Sequence, residues 1–382
     1  MNEIILDDAP SLSHAITRGL VAPVDGAAIV CLPELPSDVR SVLNRGLFSS
    51  GKPVAIARHE TPVGSIALIA LPRSTSEVYA DRQELRRLIG LALEEAARVG
   101  ARVVSLTGLI PSATGLGADV QPDPSRRLPS ITTGHATTVS AVVLMLANGL
   151  EQAQLDLSQE TLACVGVGSI GAAALWLALR VLPRPAKVVL CDLFFAKPRL
   201  EAFARSVAEE FGVEVDVAIA PAHGVPEQVY DARVIVGATN VANVLDARRL
   251  RAGTVLIDDS APHCFDITVA RARAQAQGDI LVSEGGLVRS PTPLRHRLFL
   301  PQRARAVVEQ LVNASLRHQI FAPDQIMGCV LSSALSAAQD PLPRTVGPVD
   351  PQHALIHYRA LRALDFGAPA PQCETDPYAA VT

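Results

Sequence analysis

A glycine motif in the middle of the chain constrains the fold more than any other feature. The motif reads Gly166-Val167-Gly168-Ser169-Ile170-Gly171, follows the short, partly β-branched stretch Thr161–Val165, and opens an apolar stretch of helical character. In such a motif the first glycine permits a tight turn, the second lets the backbone approach a pyrophosphate, and the third allows close helix packing. The helix N-terminus adds a partial positive charge that favours phosphate. The sequence therefore predicts a dinucleotide site, with a purely structural glycine turn as the alternative.

An acidic residue follows the motif at a position that suits a ribose. Asp192 ends the second predicted strand, where a carboxylate accepts hydrogen bonds from the adenosine ribose. Because a carboxylate repels a 2′-phosphate, Asp192 favours NADH over NADPH, while Lys197 and Arg199 nearby leave NADPH open. A later strand, 234–236, ends in small and polar residues against which a nicotinamide ring can lie. The predicted cofactor-binding residues are Gly166, Val167, Gly168, Ser169, Ile170, Gly171, Asp192, Thr239, Asn240 and Gly286.

Strands and helices alternate over residues 160–287, which is typical of a parallel sheet flanked by helices. The predicted fold class is α/β: a Rossmann-type doubly wound parallel sheet with an N-terminal α/β substrate domain and a helical C-terminal segment. The predicted boundaries are 1–130 for the substrate domain, 131–290 for the dinucleotide-binding domain and 291–382 for the helical segment.

Local signals place helices on either side of the central domain. Ser74 and Glu77 form a capping box before an apolar stripe with helical spacing, and Gly100 stands where a C-terminal cap belongs. The Gly, Pro and Asp-rich stretch 112–129 is predicted to be an exposed loop. In the C-terminal segment, helices are predicted over 304–316, 324–338 and 352–364.

Composition excludes several classes of protein. The 382 residues are 49% hydrophobic and 19% charged, with a net charge of −4, which argues against a nucleic-acid partner. The stretch 161–179 is uncharged, but its glycines favour a strand, turn and helix over a membrane span. The cysteines form no C-x-x-C pair and no zinc spacing, so we expect reduced thiols and no metal site. With its acidic start and no signal-like segment, the chain is predicted to be cytoplasmic.

Several short segments resemble one known family in their order and spacing. They are Ser105-Leu106-Thr107-Gly108-Leu109, Thr132-Thr133-Gly134, Asp156-Leu157-Ser158-Gln159-Glu160-Thr161, Val255-Leu256-Ile257-Asp258, Gly285-Gly286-Leu287-Val288 and Met327-Gly328-Cys329. In these segments the chain resembles the cyanobacterial long-chain acyl-carrier-protein reductases, which convert acyl thioesters to aldehydes. The likeness covers about residues 60–370.

The resemblance implies a covalent mechanism. In that family a cysteine in a C-terminal helix takes the acyl group as a thioester, which nicotinamide hydride then reduces, and Cys329 matches its position. Thr133 also matches the family and is expected to hydrogen-bond near the thioester carbonyl. His135 replaces an asparagine of the family; it either acts on the substrate or is a solvated loop histidine. Cys264, which follows the strand ending at Asp258, is the competing nucleophile.

The chain also departs from that family. The family's glycine loop is more loosely spaced, and a basic residue suited to NADPH takes the place of Asp192. A histidine and a tyrosine of the family are replaced by Thr137 and Ser140. The segment before Cys329 is longer and is either a solvated face or a docking patch for an acidic carrier protein or CoA phosphates; its arginines are Arg289, Arg295, Arg297 and Arg303.

The leading hypothesis is an NADH- or NADPH-dependent reductase that takes an acyl group from a carrier-protein or CoA thioester onto Cys329 and releases an aldehyde, with an aldehyde-consuming enzyme as a further partner. The first alternative is an NAD-dependent dehydrogenase of a small hydroxy or amino acid, similar to shikimate or alanine dehydrogenases, without a covalent step. The second alternative is a nucleotide-binding module without catalysis.

Overall fold

The computed structural model describes residues 5–120, 125–311 and 322–372. Its N-terminal part alternates short strands with helices. In chain order these are β1 (Ile5–Asp7), α1 (Leu12–Thr17), β2 (Gly26–Leu32), α2 (Ser37–Gly46), β3 (Val54–Thr61), β4 (Gly64–Ser74), α3 (Arg82–Arg98), β5 (Val103–Leu106), α4 (Ile110–Ala113) and β6 (Ser130–Thr132).

The middle of the chain forms a second, fully parallel sheet. Its elements are α5 (His135–Gln152), β7 (Thr161–Val165), α6 (Ser169–Val181), β8 (Lys187–Leu193), α7 (Lys197–Phe211), β9 (Glu214–Ala220), α8 (Glu227–Tyr230), β10 (Val234–Gly237), β11 (Thr254–Asp258), α9 (Ile267–Gln277) and β12 (Ile280–Glu284). The six strands lie in the order β12-β11-β10-β7-β8-β9, and all neighbours are parallel.

Helices cover both faces of this second sheet. Apolar side chains of α5, α6 and α7 form a core with one face, and α8 and α9 contribute to a core on the other. The chain moves outward in both directions from β7, so the strand order reverses between β7 and β10. The prediction of a Rossmann-type doubly wound sheet is therefore confirmed. No helix within the described ranges is long and apolar enough to cross a membrane.

The rest of the chain returns to the first sheet. Its elements are β13 (Leu287–Arg289), β14 (Arg295–Phe299), α10 (Gln302–Leu311), β15 (Gln325–Met327), α11 (Gly328–Ala337) and α12 (Pro351–Ala363). The first sheet has seven strands in the order β1-β14-β3-β4-β2-β5-β6. β14 is parallel to β1 and antiparallel to β3. The domain boundaries 1–130, 131–290 and 291–382 stay a prediction. The C-terminal segment contains the helices α10, α11 and α12, and it also contributes a strand that was not predicted, β14, which lies between β1 and β3.

Two local predictions also differ from the structure. Glu77 Oε2 accepts a hydrogen bond from Ser74 N at 3.0 Å, as in a capping box, but only a short 3₁₀ turn, Ser76–Tyr79, follows. α3 begins at Arg82, where the Asp81 side chain caps it. The helix predicted over 324–338 opens as β15, because this segment pairs with β13 before α11 begins. The predicted helical residues 312–316 and Cys373 lie outside the described residues.

Buried polar side chains fasten α12 to α5. His357 Nε2 donates to Pro343 O at 2.9 Å, so its Nδ1 accepts from the Thr137 hydroxyl at 2.8 Å. The Ser140 hydroxyl donates to Ala354 O of α12 at 3.0 Å. Burial lowers the pKa of His357 to about 4, so the ring is neutral and both of its nitrogens are satisfied. Thr137 and Ser140, which replace a histidine and a tyrosine of the similar family, thus hold two helices together.

Candidate functional site

A cavity of about 610 Å³ lies at the carboxyl edge of the parallel strands, between the two sheets. It brings together every predicted catalytic residue and all predicted cofactor residues except Val167 and Gly171. The predicted residues that line it are Thr133, His135, Gly166, Gly168, Ser169, Ile170, Asp192, Thr239, Asn240, Gly286 and Cys329. Residues that were predicted to be functional from separate parts of the sequence therefore line the same cavity.

The three glycines of the motif occupy three different environments. Gly166 has φ +87°, and a Cβ on it would lie 2.5 Å from Ala238 O, so the ends of β7 and β10 meet here. A Cβ on Gly171 would lie 2.0 Å from Gly166 O, so α6 packs directly on the turn. A Cβ on Gly168 would meet nothing within 4 Å, and Gly168 lines the cavity at the start of α6. This is the arrangement that a bound pyrophosphate requires.

Asp192 is anchored to the glycine motif. Its Oδ2 accepts from Val167 N at 3.0 Å and its Oδ1 accepts from Leu193 N at 2.8 Å. Arg199 Nη2 lies 3.3 Å from the same Oδ2 and lines the cavity, whereas Lys197 pairs with Glu201. A carboxylate and a guanidinium therefore stand together where the ribose is expected, and the choice between NADH and NADPH stays a prediction.

Cys329 stands at the cavity as the second residue of α11. The Ser105 hydroxyl of β5 donates to Cys329 O at 2.5 Å. On the other side, a Cβ on Gly134 would lie only 2.6 Å from the Cys329 Cα atom. The start of α11 is thus packed between β5 and the start of α5, and these two elements fix the position of the Cys329 thiol.

The thiol of Cys329 is protonated at neutral pH. Burial raises its pKa to about 11. The backbone N–H groups of Gly108 and Val330 act in the opposite direction, because they are directed at the sulfur atom. Attack by this sulfur therefore needs a group that takes up a proton, and the N–H groups beside it can stabilise negative charge.

The other described cysteines are withdrawn from the cavity. Cys264 has no exposed surface, and its Sγ lies 2.7 Å from the position of a Cβ on Gly237. Burial raises the pKa of Cys264 well above its usual value. Burial also raises the pKa of the remaining three to about 12; these are Cys31, Cys164 and Cys191. Cys264 is therefore packed as a core residue.

His135 and Thr133 connect the two halves of the cavity. The His135 Nδ1 atom lies 3.5 Å from the Ser169 hydroxyl, which accepts from Val349 N at 3.0 Å. Burial lowers the pKa of His135 to about 4, so it is a neutral, buried histidine and the solvated alternative is wrong. Thr133 is fully buried, and its backbone N–H donates to Thr345 O at 2.8 Å. Their catalytic roles stay predictions.

Sequence analysis did not assign a cluster of charged residues that lines the same cavity: Asp258, Asp259, His263 and Glu284. His263 Nδ1 lies 2.8 Å from Asp258 Oδ2, and its Nε2 lies 3.5 Å from Glu284 Oε1. Burial acts to lower the pKa of His263, but these two carboxylates raise it to about 10. The sequence did contain a signal for this cluster. Acidic residues end two neighbouring parallel strands, and ligands bind at the carboxyl ends of such strands.

The arginines of the longer segment lie away from this cavity. Arg297 of β14 is bound to Asp7 of β1, with Nε 3.0 Å from Oδ2. None of the four lines the cavity, all four being described residues: Arg289, Arg295, Arg297 and Arg303. A docking patch at these arginines stays a prediction.

Comparisons with known proteins give remote similarity. No protein-family model matches the sequence, and no curated protein matches it significantly. Among solved structures, L-tryptophan dehydrogenase from Nostoc punctiforme is 14% identical over 68% of this chain and 70% of its own, with a TM-score of 0.35. Shikimate 5-dehydrogenase from Listeria monocytogenes, in complex with shikimate and NAD, is 14% identical over 68% and 86%, with a TM-score of 0.31. A hetero-hexameric glutamate dehydrogenase from Thermus thermophilus is 14% identical over 90% and 74%, with a TM-score of 0.38. Similarity at this level assigns no activity to this chain.

Proposed function

We propose that the protein is a nicotinamide-dependent oxidoreductase, and more specifically a reductase that accepts an acyl group from a carrier-protein or CoA thioester onto Cys329 and releases an aldehyde. The observation that carries the proposal is the placement of a cysteine at the start of a helix in the same cavity as a glycine motif with the geometry of a pyrophosphate site.

The residues around the glycine motif fit a nicotinamide dinucleotide. Gly168 leaves open the space that a Cβ would fill, and Asp192 stands at the ribose position. When bound there, NADH or NADPH supplies the hydride that reduces the acyl group. The end of β10, with Thr239 and Asn240, forms the wall between the motif and the acid cluster.

Around the thiol, the chain itself can stabilise the charge of acyl transfer. Attack by Cys329 places a negative charge on the oxygen of the thioester carbonyl. The backbone N–H groups of Gly108 and Val330 act on the sulfur, and they are the donors that we propose for this oxygen, which lies two bonds from the sulfur. His135 is neutral and buried in the same cavity, so it is placed to orient the acyl group.

The pair of His263 and Asp258 favours a second candidate, a dehydrogenase of a small hydroxy or amino acid. A histidine held by a carboxylate at the ends of the strands is a common proton carrier in direct hydride transfer. This candidate needs no thiol. A nucleotide-binding module without catalysis is the third, and it predicts cofactor binding without turnover.

Intact-mass measurement separates these candidates. The wild-type protein is incubated with acetyl-, octanoyl- and palmitoyl-CoA, and with the same groups on an acyl carrier protein, without NADH or NADPH. We expect the wild type to gain the mass of one acyl group and Cys329→Ala to gain none. The matched control Cys31→Ala changes a half-buried thiol outside the cavity and should be labelled like the wild type. If no thioester labels the wild type while NADH still binds, the covalent mechanism is wrong and the direct dehydrogenase takes its place.

Changing Asp192 to asparagine is expected to shift cofactor preference towards NADPH by about tenfold, which corresponds to ~1.4 kcal/mol. Asparagine keeps an oxygen that can accept from Val167 N, but it removes the charge that repels a 2′-phosphate. The measurement is fluorescence titration of NADH and NADPH with both proteins. An unchanged ratio of the two dissociation constants would show that Asp192 holds the loop and does not select the cofactor.

A further inference from the structure

We propose that Asp259 is the proton donor of this site, and that its carboxyl group protonates the thiolate that leaves at each step of the reaction on Cys329. The inference rests on the proposed function. Asp259 directly follows β11, which lies between β12 and β10 in the second sheet.

Two adjacent carboxyl groups, on the last residue of β11 and on the residue after it, have different surroundings. The Asp258 side chain accepts from Ser260 N at 3.2 Å and from Cys264 N at 3.2 Å, and it also lies against His263. Asp258 is thus fully engaged in holding the loop after β11. Asp259 is half-buried and lines the cavity. Within the described ranges its carboxyl group has no hydrogen-bond partner. Asp259 is therefore the member of the pair that is free to act on a ligand.

Backbone contacts place Asp259 next to Gly286, on the part of the cavity where α11 begins. Its N–H donates to Gly237 O at 2.8 Å, which fixes it at the end of β10. Its Oδ1 lies 2.6 Å from the position of a Cβ on Gly286, so the carboxyl group rests on a residue without a side chain. Gly286 O in turn accepts from Gly328 N at 2.8 Å. Gly328 is the first residue of α11 and immediately precedes Cys329. The glycine on which the carboxyl group rests is therefore hydrogen-bonded to the start of α11.

The charges around Asp259 keep a proton on it. Burial raises its pKa well above the usual value, and the neighbouring carboxylates of Asp258 and Glu284 raise it further. The charge of His263 acts in the opposite direction and lowers it. When it is ionised, Asp259 also raises the pKa of the Cys329 thiol, so the two groups lie near enough to interact electrostatically. A carboxyl group whose surroundings raise its pKa is a common acid in enzyme sites.

The proton balance of the reaction needs such a donor. In acyl transfer the bond from the Cys329 sulfur to the carbonyl carbon forms and the bond to the donor's sulfur breaks. One oxygen of the Asp259 carboxyl group takes the proton of the Cys329 thiol while the other gives its proton to the departing thiolate. In reduction, hydride adds to the carbonyl carbon, the carbon–sulfur bond breaks, and the aldehyde leaves. Asp259 then protonates the Cys329 thiolate and is reprotonated from solvent. The sum is one thioester, one reduced cofactor and one proton giving an aldehyde, a thiol and the oxidised cofactor.

The test compares Asp259→Asn with the wild type. Asparagine preserves size but carries no transferable acid proton, so aldehyde formation from the acyl-CoA panel should fall by about a hundredfold. The wild-type rate should decline as pH rises through the pKa of Asp259, and that decline should be absent in the variant. Alkylation of Cys329 by iodoacetamide needs the thiolate but no acid, so it should stay the same or become faster. Asp340→Asn, an exposed carboxyl group beyond α11, is the matched control and should behave as wild type.

Three results would overturn the inference. If Asp259→Asn keeps wild-type turnover or the same pH profile, Asp259 is not the donor although the acyl-enzyme mechanism stands. If alkylation of Cys329 is lost together with turnover, the residue supports the structure of the site and does not carry a proton. If the wild type forms no acyl adduct at all, the proposed function fails, and the assignment of Asp259 fails with it. Thermal unfolding of each variant shows whether its loss of activity comes from loss of folding.

Discussion

Replacing Cys329 with serine is expected to lower aldehyde formation by about ten-thousandfold or more. A serine hydroxyl fits the same place at the start of α11, but it is a much poorer nucleophile towards a thioester than a thiol. NADH binding should be unchanged, because the glycine motif belongs to the other side of the cavity. The measurement is steady-state aldehyde production with each donor, together with fluorescence titration of NADH.

Two control substitutions make this result specific. Cys31→Ala should retain wild-type turnover, because Cys31 lies outside the cavity. Cys264→Ala should retain the acyl adduct, since the Cys264 sulfur is packed against Gly237 and cannot reach a substrate. Turnover that survives in Cys329→Ser at near the wild-type level would instead support the direct-dehydrogenase candidate.

Substituting Gly134 by alanine is expected to destabilise the protein by roughly 2–4 kcal/mol and to slow acylation of Cys329 on the order of a hundredfold. Gly134 has φ +72°, a conformation that disfavours a side chain. The new Cβ would also lie 2.6 Å from the Cys329 Cα and 2.8 Å from Cys329 O. Because the contact is with backbone, the start of α11 has to move, and the thiol moves with it. Urea unfolding and the rate of adduct formation measure the two effects.

Gly212→Ala separates the backbone strain from the clash. Gly212 ends α7 with φ +65°, and a Cβ there would meet nothing within 4 Å. It should therefore cost only about 1 kcal/mol, which is the conformational strain alone, and should leave acylation unchanged. Equal losses of stability in the two variants would contradict the close approach of α5 and α11.

Local signals in the sequence predicted the parts of the fold that depend on local geometry. The glycine motif was recognisable because a tight turn, a close phosphate and a packed helix each restrict one position to glycine. The segment that opens as β15 was predicted to be helical, because its extended conformation depends on β13, which lies far away in the sequence. β14 was missed for the same reason, since its partners are β1 and β3.

The candidate site was predictable only in part. Cys329 was identified by resemblance, because a cysteine on an apolar helix carries no chemical signal of its own. Asp259 was not identified, because its importance depends on β11 and β12 being neighbours, and on Gly286 lying beneath its carboxyl group. Thr137 and Ser140 were noted only as departures from the similar family, because their partners are on α12, whose place in the fold the sequence pattern could not give.

The position of β14 also determines the order in which the molecule can be assembled. Ile5 pairs with Arg297, so this pairing cannot form until residue 297 has been synthesised, and it then closes a very long loop at a cost in entropy. By the time Phe299 leaves the ribosome, every strand of the parallel sheet, β7 to β12, has already been made. The first sheet can therefore be completed only after every strand of the second has been made. Since α11 packs on the first sheet and α12 packs on the core of the second, the cavity between the two sheets is completed only when the last two helices have been synthesised.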